Sequence, residues 1–241
     1  NASLFIEDDL DNLMEDETPL TIDASANFGG VDLNIEGGEF ITFIGSKGDD
    51  RFSVLAEDES GTALDPDFGE DSAVVITNTA GDNWYNVDAK ELTLTDADGD
   101  ITVKAETDLS TITLGDGDNT VAVITAELAL TLGDGDNNVD IDLGAPFAEL
   151  VSNDEFDKVA NITAGDGENT IRVEVQTSTA DVAEVNVTAG NGGNTVEVTQ
   201  SSGSATQTAI TINTGTGADT IVAEGSEINI TSGGGNDDIT I

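Results

Sequence analysis

Carboxylate and amide side chains recur in a short glycine-rich phrase that is suited to binding calcium. The phrase Gly115-Asp116-Gly117-Asp118-Asn119 returns 18 residues later as Gly133-Asp134-Gly135-Asp136-Asn137. Calcium takes about six to eight hard oxygen ligands, from carboxylates, amides and carbonyls, in adaptable geometry. The glycines let the backbone turn its carbonyl groups toward a ligand. The phrase therefore predicts a row of calcium sites.

The phrase recurs along most of the chain. Gly81, Gly99, Gly117 and Gly135 are each 18 residues apart. Wider spacings separate the later copies, which are Gly165-Asp166-Gly167-Glu168-Asn169, Gly190-Asn191-Gly192-Gly193-Asn194, Gly215-Thr216-Gly217-Ala218-Asp219 and Gly233-Gly234-Gly235-Asn236-Asp237. A fixed period that is longer than a hairpin and shorter than a domain is typical of a stacked-repeat architecture.

The candidate metal ligands are the acids and amides of these phrases. They are Asp49, Asp50, Asp98, Asp116, Asp118, Asn119, Asp134, Asp136, Asn137, Asp166, Asn169, Asn194, Asp219, Asn236 and Asp237. Each phrase precedes a run of alternating apolar residues, so these ligands lie at a corner that leads into a strand.

One turn can be read from Gly117 to Gly135. Residues 120–124 form a strand with Val121 and Val123 inward, residues 125–127 form the opposite corner, and residues 128–132 form a second strand. The same inward columns continue in other turns, as in Phe52/Val54, Tyr85/Val87, Ile171/Val173, Ile221/Ala223 and Ile239/Ile241 after the glycine corner, and Ile41/Phe43, Leu92/Leu94, Leu128/Leu130, Val185/Val187, Ile210/Ile212 and Ile228/Ile230 on the second strand. The predicted fold is an all-β, right-handed parallel β-solenoid with turns of about 18 residues.

Insertions are predicted at one corner only. Residues 55–72, 144–158, 176–183 and 199–207 all fall between a first and a second strand. We expect residues 36–241 to form the solenoid. Residues 1–35 lack an in-phase glycine phrase and are predicted to be an acidic N-terminal segment that serves as a cap or a docking arm.

The glycine phrase resembles the calcium-binding nonapeptide of RTX proteins. The best matches are Gly45-Ser46-Lys47-Gly48-Asp49-Asp50-Arg51-Phe52 and Gly233-Gly234-Gly235-Asn236-Asp237-Asp238-Ile239. The resemblance implies a parallel β-roll that binds Ca²⁺ between turns, with the Asp at the sixth position of the nonapeptide as the main side-chain ligand.

This chain departs from the RTX pattern. Asp50, Asp219 and Asp237 keep the sixth-position acid, whereas Asn83, Asn119, Asn137, Asn169 and Asn194 replace it and Ile101 lacks an oxygen. Only one edge of each turn carries the phrase, so one row of calcium ions is expected. The alternative is a metal-free ladder in which stacked Asn and Asp side chains bond to each other and to the turn backbone.

The composition restricts the partners and the chemistry. The 241 residues include 50 acidic and 6 basic side chains, a net charge of −44, with no Cys and no His. Nucleic acid and anionic membrane surfaces are excluded as partners because they need a cationic surface. Short apolar runs exclude membrane insertion. The six basic residues share no column, and thiol and imidazole catalysis are absent, so no enzyme is expected.

The predicted function is structural. The chain would be a subunit of a secreted, calcium-stabilised filament, surface layer or biofilm matrix, located outside the cell or at its surface. The final turn has no cap, so copies are expected to assemble head to tail through open ends that include Leu4, Phe5, Ile6, Ile239 and Ile241. Residues 3–6 are a candidate strand for a neighbour's edge. An N-terminus that starts at Asn1 rather than Met favours processing and export.

The alternative function is a binding module, or a fragment of a large repeat adhesin, that contacts carbohydrate, ice or a cell surface. Outward Thr93/Thr95, Thr111/Thr113, Thr131 and Thr211 favour it, but along the sequence they do not form a regular column. Asn161, Asn186 and Asn229 each begin an Asn-x-Thr triplet. These triplets are either glycan acceptors or by-products of Thr-rich strands.

Overall fold

The structure, a computed structural model, describes residues 2–6, 19–36, 40–55, 72–144, 158–176, 182–201 and 207–241. This part of the chain contains 21 strands and no helix. The strands are β1 (Ala2–Ile6), β2 (Leu20–Asp23), β3 (Val31–Glu36), β4 (Phe40–Ile44), β5 (Arg51–Leu55), β6 (Ala73–Thr77), β7 (Trp84–Asp88), β8 (Glu91–Asp96), β9 (Thr102–Glu106), β10 (Leu109–Leu114), β11 (Thr120–Thr125), β12 (Glu127–Leu132), β13 (Asn138–Leu143), β14 (Lys158–Ala164), β15 (Thr170–Val175), β16 (Val182–Ala189), β17 (Thr195–Gln200), β18 (Gln207–Asn213), β19 (Thr220–Ala223), β20 (Glu227–Thr231) and β21 (Asp238–Thr240).

The strands form two parallel sheets that run the length of the molecule. Sheet A contains the eleven odd-numbered strands and sheet B the ten even-numbered strands, each in chain order. Every strand pairs in parallel with the strand two elements away, as β10 does with β8 and β12. Each turn therefore adds one strand to each sheet, which confirms the predicted parallel β-solenoid.

The core is a stack of apolar columns between the two sheets. Strand β12 alternates strictly between exposed and buried residues, and the predicted inward residues Val121, Val123, Leu128 and Leu130 are all buried. Burial of apolar surface contributes about 25 cal/mol per Å² and is the main force that holds the sheets together. Ile239 lies in the same column as the buried Ile221, as the sequence predicted, but it and Ile241, which follows β21, are exposed in the last described turn.

The two corners of each turn differ. The chain passes from sheet B to sheet A through the glycine phrase, and from β6 onward this corner is short and described in every turn. Paired residues are 18 positions apart between β10 and β12 but 32 apart between β12 and β14, so the extra residues lie between a sheet A strand and the next sheet B strand. This agrees with the predicted insertions at one corner. Most residues of the four insertions lie outside the described residues.

The sheets extend before residue 36, where the solenoid was predicted to start. Strand β2 pairs with β4, and β3 pairs with β5. Strand β1 pairs with β3 of the same chain, with Leu4 opposite Leu33, so residues 3–6 add to their own sheet rather than to a neighbour's edge. The acidic run from residue 7 to residue 17 lies outside the described residues. The described elements include no helix of the length and apolarity needed to cross a membrane.

Candidate cation-binding corner

The glycine corner packs so closely that only glycine fits its centre. Gly117 and Gly135 both have φ of +143°, in a region that side chains rarely adopt. A Cβ on Gly135 would lie 2.2 Å from the carbonyl oxygen of Gly117 in the preceding turn. The Gly117 N–H also donates to the carbonyl oxygen of Asp134 at 2.9 Å. Successive corners therefore stack backbone on backbone, which brings their polar side chains into rows.

The sixth-position residues form a buried row, which we call the inner ladder. The Nδ2 of Asn119 donates to Oδ1 of Asn137 at 2.9 Å, and Asn137 donates in the same way to Asn169. Asn169 donates to Asn194 at 3.0 Å, and Asn194 to Oδ1 of Asp219 at 3.1 Å. The row is almost wholly shielded from water. The inner side chains therefore bond to each other from turn to turn, as the sequence analysis considered for stacked Asn and Asp residues.

Each amide of the inner ladder also closes its own corner. Nδ2 of Asn137 donates to the carbonyl oxygen of Gly135 at 3.0 Å, and Nδ2 of Asn119 donates likewise to Gly117 at 3.0 Å. Their Oδ1 atoms accept bonds from the preceding turn. Both polar atoms of each side chain are therefore engaged, as buried polar groups require.

The buried carboxylates of the ladder have additional donors. Asp219 accepts from the hydroxyl of Thr214 at 2.8 Å, and Asp50 accepts from the hydroxyl of Ser46 at 2.6 Å. Asp50 also accepts from Nδ2 of Asn78 at 2.9 Å and from the Val31 N–H at 2.7 Å. Charge-assisted hydrogen bonds of this kind offset the desolvation cost of a buried carboxylate.

The ladder is interrupted at Ile101, and Asp96 takes over the missing acceptor. Oδ2 of Asp96 accepts from Nδ2 of Asn83 at 2.9 Å and from the hydroxyl of Tyr85 at 2.8 Å. Its Oδ1 is buried and has no hydrogen-bond partner. Burial, with a smaller contribution from the charge of Asp50, raises the pKa of Asp96. Burial and the charge of Asp96 raise the pKa of Tyr85, so the phenol stays protonated and donates.

Two exposed rows of acids flank the inner ladder. In the first outer row, Oδ1 of Asp116 accepts from the Asp134 N–H at 2.8 Å, and Oδ1 of Asp134 accepts from the Asp166 N–H at 2.8 Å. Asp166 in turn accepts from the Asn191 N–H at 2.7 Å. Hydrogen bonds from the backbone and side chain of Asn191 lower the pKa of Asp166. The first outer row is therefore continuous from Asp116 to Asn191, and Asp166 is ionised at neutral pH.

The second outer row repeats the arrangement two residues further along each corner. Oδ1 of Asp100 accepts from the Asp118 N–H at 2.9 Å, and Oδ1 of Asp118 accepts from the Asp136 N–H at 2.9 Å. Asp49 accepts in the same way from Asp82, and Asp136 from Glu168. Because neighbouring strands are about 4.8 Å apart, like charges recur at about this interval along both rows.

The predicted metal ligands thus separate into three rows. The inner ladder holds Asp50, Asn119, Asn137, Asn169, Asn194 and Asp219. The first outer row holds Asp98, Asp116, Asp134 and Asp166, and the second outer row holds Asp49, Asp118 and Asp136. Asn236 and Asp237 lie in the last corner. Within the described ranges, no group of three or more acidic side chains is arranged so that it could hold one ion.

Several polar residues of the corner were not predicted from the sequence. Asp82, Asp100 and Glu168 belong to the second outer row. Asp96 and Thr214 precede their ladder positions by five residues, where Leu114 precedes Asn119. The available signal was that this preceding residue, apolar before Asn119, is polar before Ile101 and Asp219.

No family model matches this sequence, and no curated protein or solved structure is significantly similar to it. The geometry of the corner and of the two sheets therefore carries the functional proposal.

Proposed function

We propose that the chain is a structural rod, a calcium-stabilised subunit of an extracellular filament, surface layer or biofilm matrix. The observation that supports this most directly is the continuous contact between turns. Both sheets are paired from end to end, and the corner adds three rows of side-chain hydrogen bonds from turn to turn. A fold of this kind transmits load along its axis, and the polar side chains of its glycine corner are used for stacking.

Calcium fits the outer rows better than the inner ladder. The oxygens of Asn119 and Asn137 already accept hydrogen bonds from the neighbouring turn. The carboxylates of Asp116 and Asp134 are exposed and stacked, and each uses one oxygen for a backbone N–H. Ca²⁺ accepts carboxylate oxygens together with water. We propose that ions bind between adjacent turns along these rows and offset the repulsion within them.

The weak affinity typical of extracellular calcium modules, about 10⁻⁴–10⁻³ M, would couple stability to export. An ion that binds only the folded chain adds to its free energy of unfolding in proportion to the logarithm of the ion concentration. The subunit would then become rigid in the calcium concentrations found outside cells.

Assembly would use the sheet edges at the ends of the rod. Ile239 in β21 is 43% exposed, whereas its neighbour in the same column, Ile221 in β19, is 0% exposed. We propose that another copy supplies the turn that packs on β20 and β21, a head-to-tail contact that builds a filament. In the alternative, this segment is part of a longer repeat adhesin, and further turns of the same chain cover these strands.

Electron microscopy of the full chain, with millimolar calcium and with chelator, tests assembly. Filaments that form only with calcium support the proposal. Single short rods in both conditions would favour the adhesin segment, and filaments that persist in chelator would show that calcium does not control assembly.

Thermal unfolding with and without calcium tests the metal rows. The pair Asp116→Asn/Asp134→Asn keeps an acceptor oxygen for each backbone N–H and removes two charges, so it should reduce the calcium-induced rise in Tm. The matched pair Glu127→Gln/Glu184→Gln removes two exposed charges from sheet B and should leave that rise unchanged. Equal effects of the two pairs would contradict binding at the corner.

A further inference from the structure

The outer surface of sheet B carries two regular columns of Thr and Asn, which we call the Thr/Asn face. One column holds Thr93, Thr111, Ala129, Asn161, Asn186, Thr211 and Asn229, and the other holds Thr95, Thr113, Thr131, Thr163, Thr188, Asn213 and Thr231. In each column, successive residues are direct partners on neighbouring strands. The expectation that the outward Thr residues form no regular column was therefore wrong for the second column, whereas the first mixes Thr, Ala and Asn.

The Thr/Asn face is exposed and uncharged. Twelve of its fourteen residues are exposed, and Asn186 and Thr211 are partly exposed. Acids do occur on the same side of these strands, because Glu91, Glu127 and Glu184 lie two residues before the first column. A chain with 50 acidic residues thus excludes charge from both columns over seven successive strands.

The side chains of this face are held in defined positions. The β-branched Thr side chains have restricted χ1 angles. The Asn186 Nδ2 donates to Oδ1 of Asn161 at 3.0 Å, which links two successive strands. These restrictions reduce the conformational freedom of the hydroxyl, methyl and amide groups that the face presents.

The spacing of the grid matches that of ordered water. Parallel strands place successive hydroxyl groups about 4.8 Å apart. In a tetrahedral network with O–H···O distances of about 2.7–2.8 Å, second-neighbour oxygens are about 4.5 Å apart. One water can therefore bridge neighbouring hydroxyls with near-tetrahedral geometry where Thr residues adjoin, as they do from Thr95 through Thr113, Thr131 and Thr163 to Thr188.

We propose that the Thr/Asn face binds the ordered water lattice of an ice surface. A neutral, periodic grid of hydroxyl, methyl and amide groups complements such a lattice. Sugar chains fit less well because neither column contains an aromatic ring for stacking. This proposal is independent of filament formation.

The Asn-x-Thr triplets at Asn161, Asn186 and Asn229 lie within strands β14, β16 and β20, and each places its Asn in the first column and its Thr in the second. The grid alone therefore accounts for their matched positions. Protein for the test should come from a host that does not attach N-linked glycans, so that the grid is not masked.

The test measures partition of the labelled full chain into a slowly growing ice hemisphere, together with thermal hysteresis. The variant Thr131→Tyr/Thr163→Tyr places two bulky rings in the exposed column without touching the core. The control Thr120→Tyr/Thr170→Tyr makes the same change on the outward surface of sheet A, where both threonines are exposed. Circular dichroism confirms that each variant is folded in the calcium concentration used.

We expect the wild-type chain and the sheet A control to enter the ice and the sheet B variant to lose incorporation and hysteresis. Exclusion of the folded wild-type chain from ice would overturn the proposal. Equal loss in both variants would also overturn it, because binding would not be specific to this face. A lower sedimentation mass for the sheet B variant alone, with ice incorporation unchanged, would assign the face to contacts between copies.

Discussion

Asn83 donates to Asp96 at 2.9 Å across the one turn in which the inner ladder has no side-chain oxygen. The next ladder position is Ile101, which is buried, and its N–H donates onward to Oδ1 of Asn119 at 3.2 Å. Asp96 occupies a column that holds Leu114 in the following turn. A carboxyl group from a core column thus replaces an amide from the ladder column.

This replacement predicts that the contribution of Asp96 to the free energy of unfolding depends on pH. Burial raises the pKa of Asp96 in the folded chain, so the folded state binds this proton more tightly than the unfolded state. The contribution of Asp96 to stability is therefore greatest below the ordinary Asp range and falls as the pH rises through its raised pKa. We expect Asp96→Asn to raise Tm at pH 7 and to lose this advantage in acid.

Melting curves of the wild-type chain and Asp96→Asn across the pH range measure the effect. Glu127→Gln, an exposed carboxyl on β12, serves as the control and should show little difference from the wild type at any pH. A Tm difference for Asp96→Asn that does not vary with pH would contradict a buried ionised Asp96.

A second prediction concerns the energetic coupling between Asp96 in the core column and Ile101 at the ladder position. Asp96→Leu removes the acceptor of Asn83 and Tyr85 and should destabilise the chain, since a buried unsatisfied donor costs roughly 1–3 kcal/mol. Ile101→Asn restores an acceptor at the ladder position. In a double-mutant cycle by chemical denaturation, the pair should be more stable than the sum of the single changes predicts. Additive effects would show that the two positions are not coupled.

The inner ladder should be sensitive to the loss of one amide. Asn137→Ala leaves Oδ1 of Asn169 and the carbonyl oxygen of Gly135 without their side-chain donor. We expect a loss of roughly 3 kcal/mol in the free energy of unfolding, given several unsatisfied groups and a small cavity. The adjacent exposed residue gives the control, because Asn138→Ala should change stability by less than about 0.5 kcal/mol. Similar losses in both variants would contradict the ladder.

The glycine corner should reject even one methyl group. Gly135→Ala combines a φ of +143° with a Cβ 2.2 Å from the Gly117 oxygen, so it should cost more than about 2 kcal/mol. Gly144→Ala is the matched control, because its Cβ would meet no atom closer than 3.6 Å and it should stay within about 1 kcal/mol of the wild type. Urea denaturation distinguishes these outcomes, and tolerance of alanine at Gly135 would mean that the corner can widen.

The fold was predictable because its signals are local. Alternation with a period of two identified inward residues such as Val121 and Leu128, and the glycine phrase marked one corner of each turn. The role of the ladder was less predictable. An Asn such as Asn137 can bind a metal or donate to the next turn, and the choice depends on a residue 32 positions away, Asn169.

The Thr/Asn face was hidden in the sequence by the insertions. Thr95, Thr113 and Thr131 are spaced by 18 residues, but the next members, Thr163 and Thr188, follow after 32 and 25. The strand pairing shows the common register, because the extra residues lie between a sheet A strand and the next sheet B strand and do not shift the pairing within sheet B. Asp96 was missed for a related reason, since its partner Tyr85 belongs to a different sheet.

The inner amides donate toward the following turn, whereas the backbone of the outer rows donates toward the preceding turn. Each boundary between regular turns is therefore made of the same bonds, with donors and acceptors on both sides. Duplication or deletion of one 18-residue unit would leave every remaining turn with neighbours of the kind it already had. Such a rod could thus change its length in evolution by whole turns, without requiring a new kind of contact between turns.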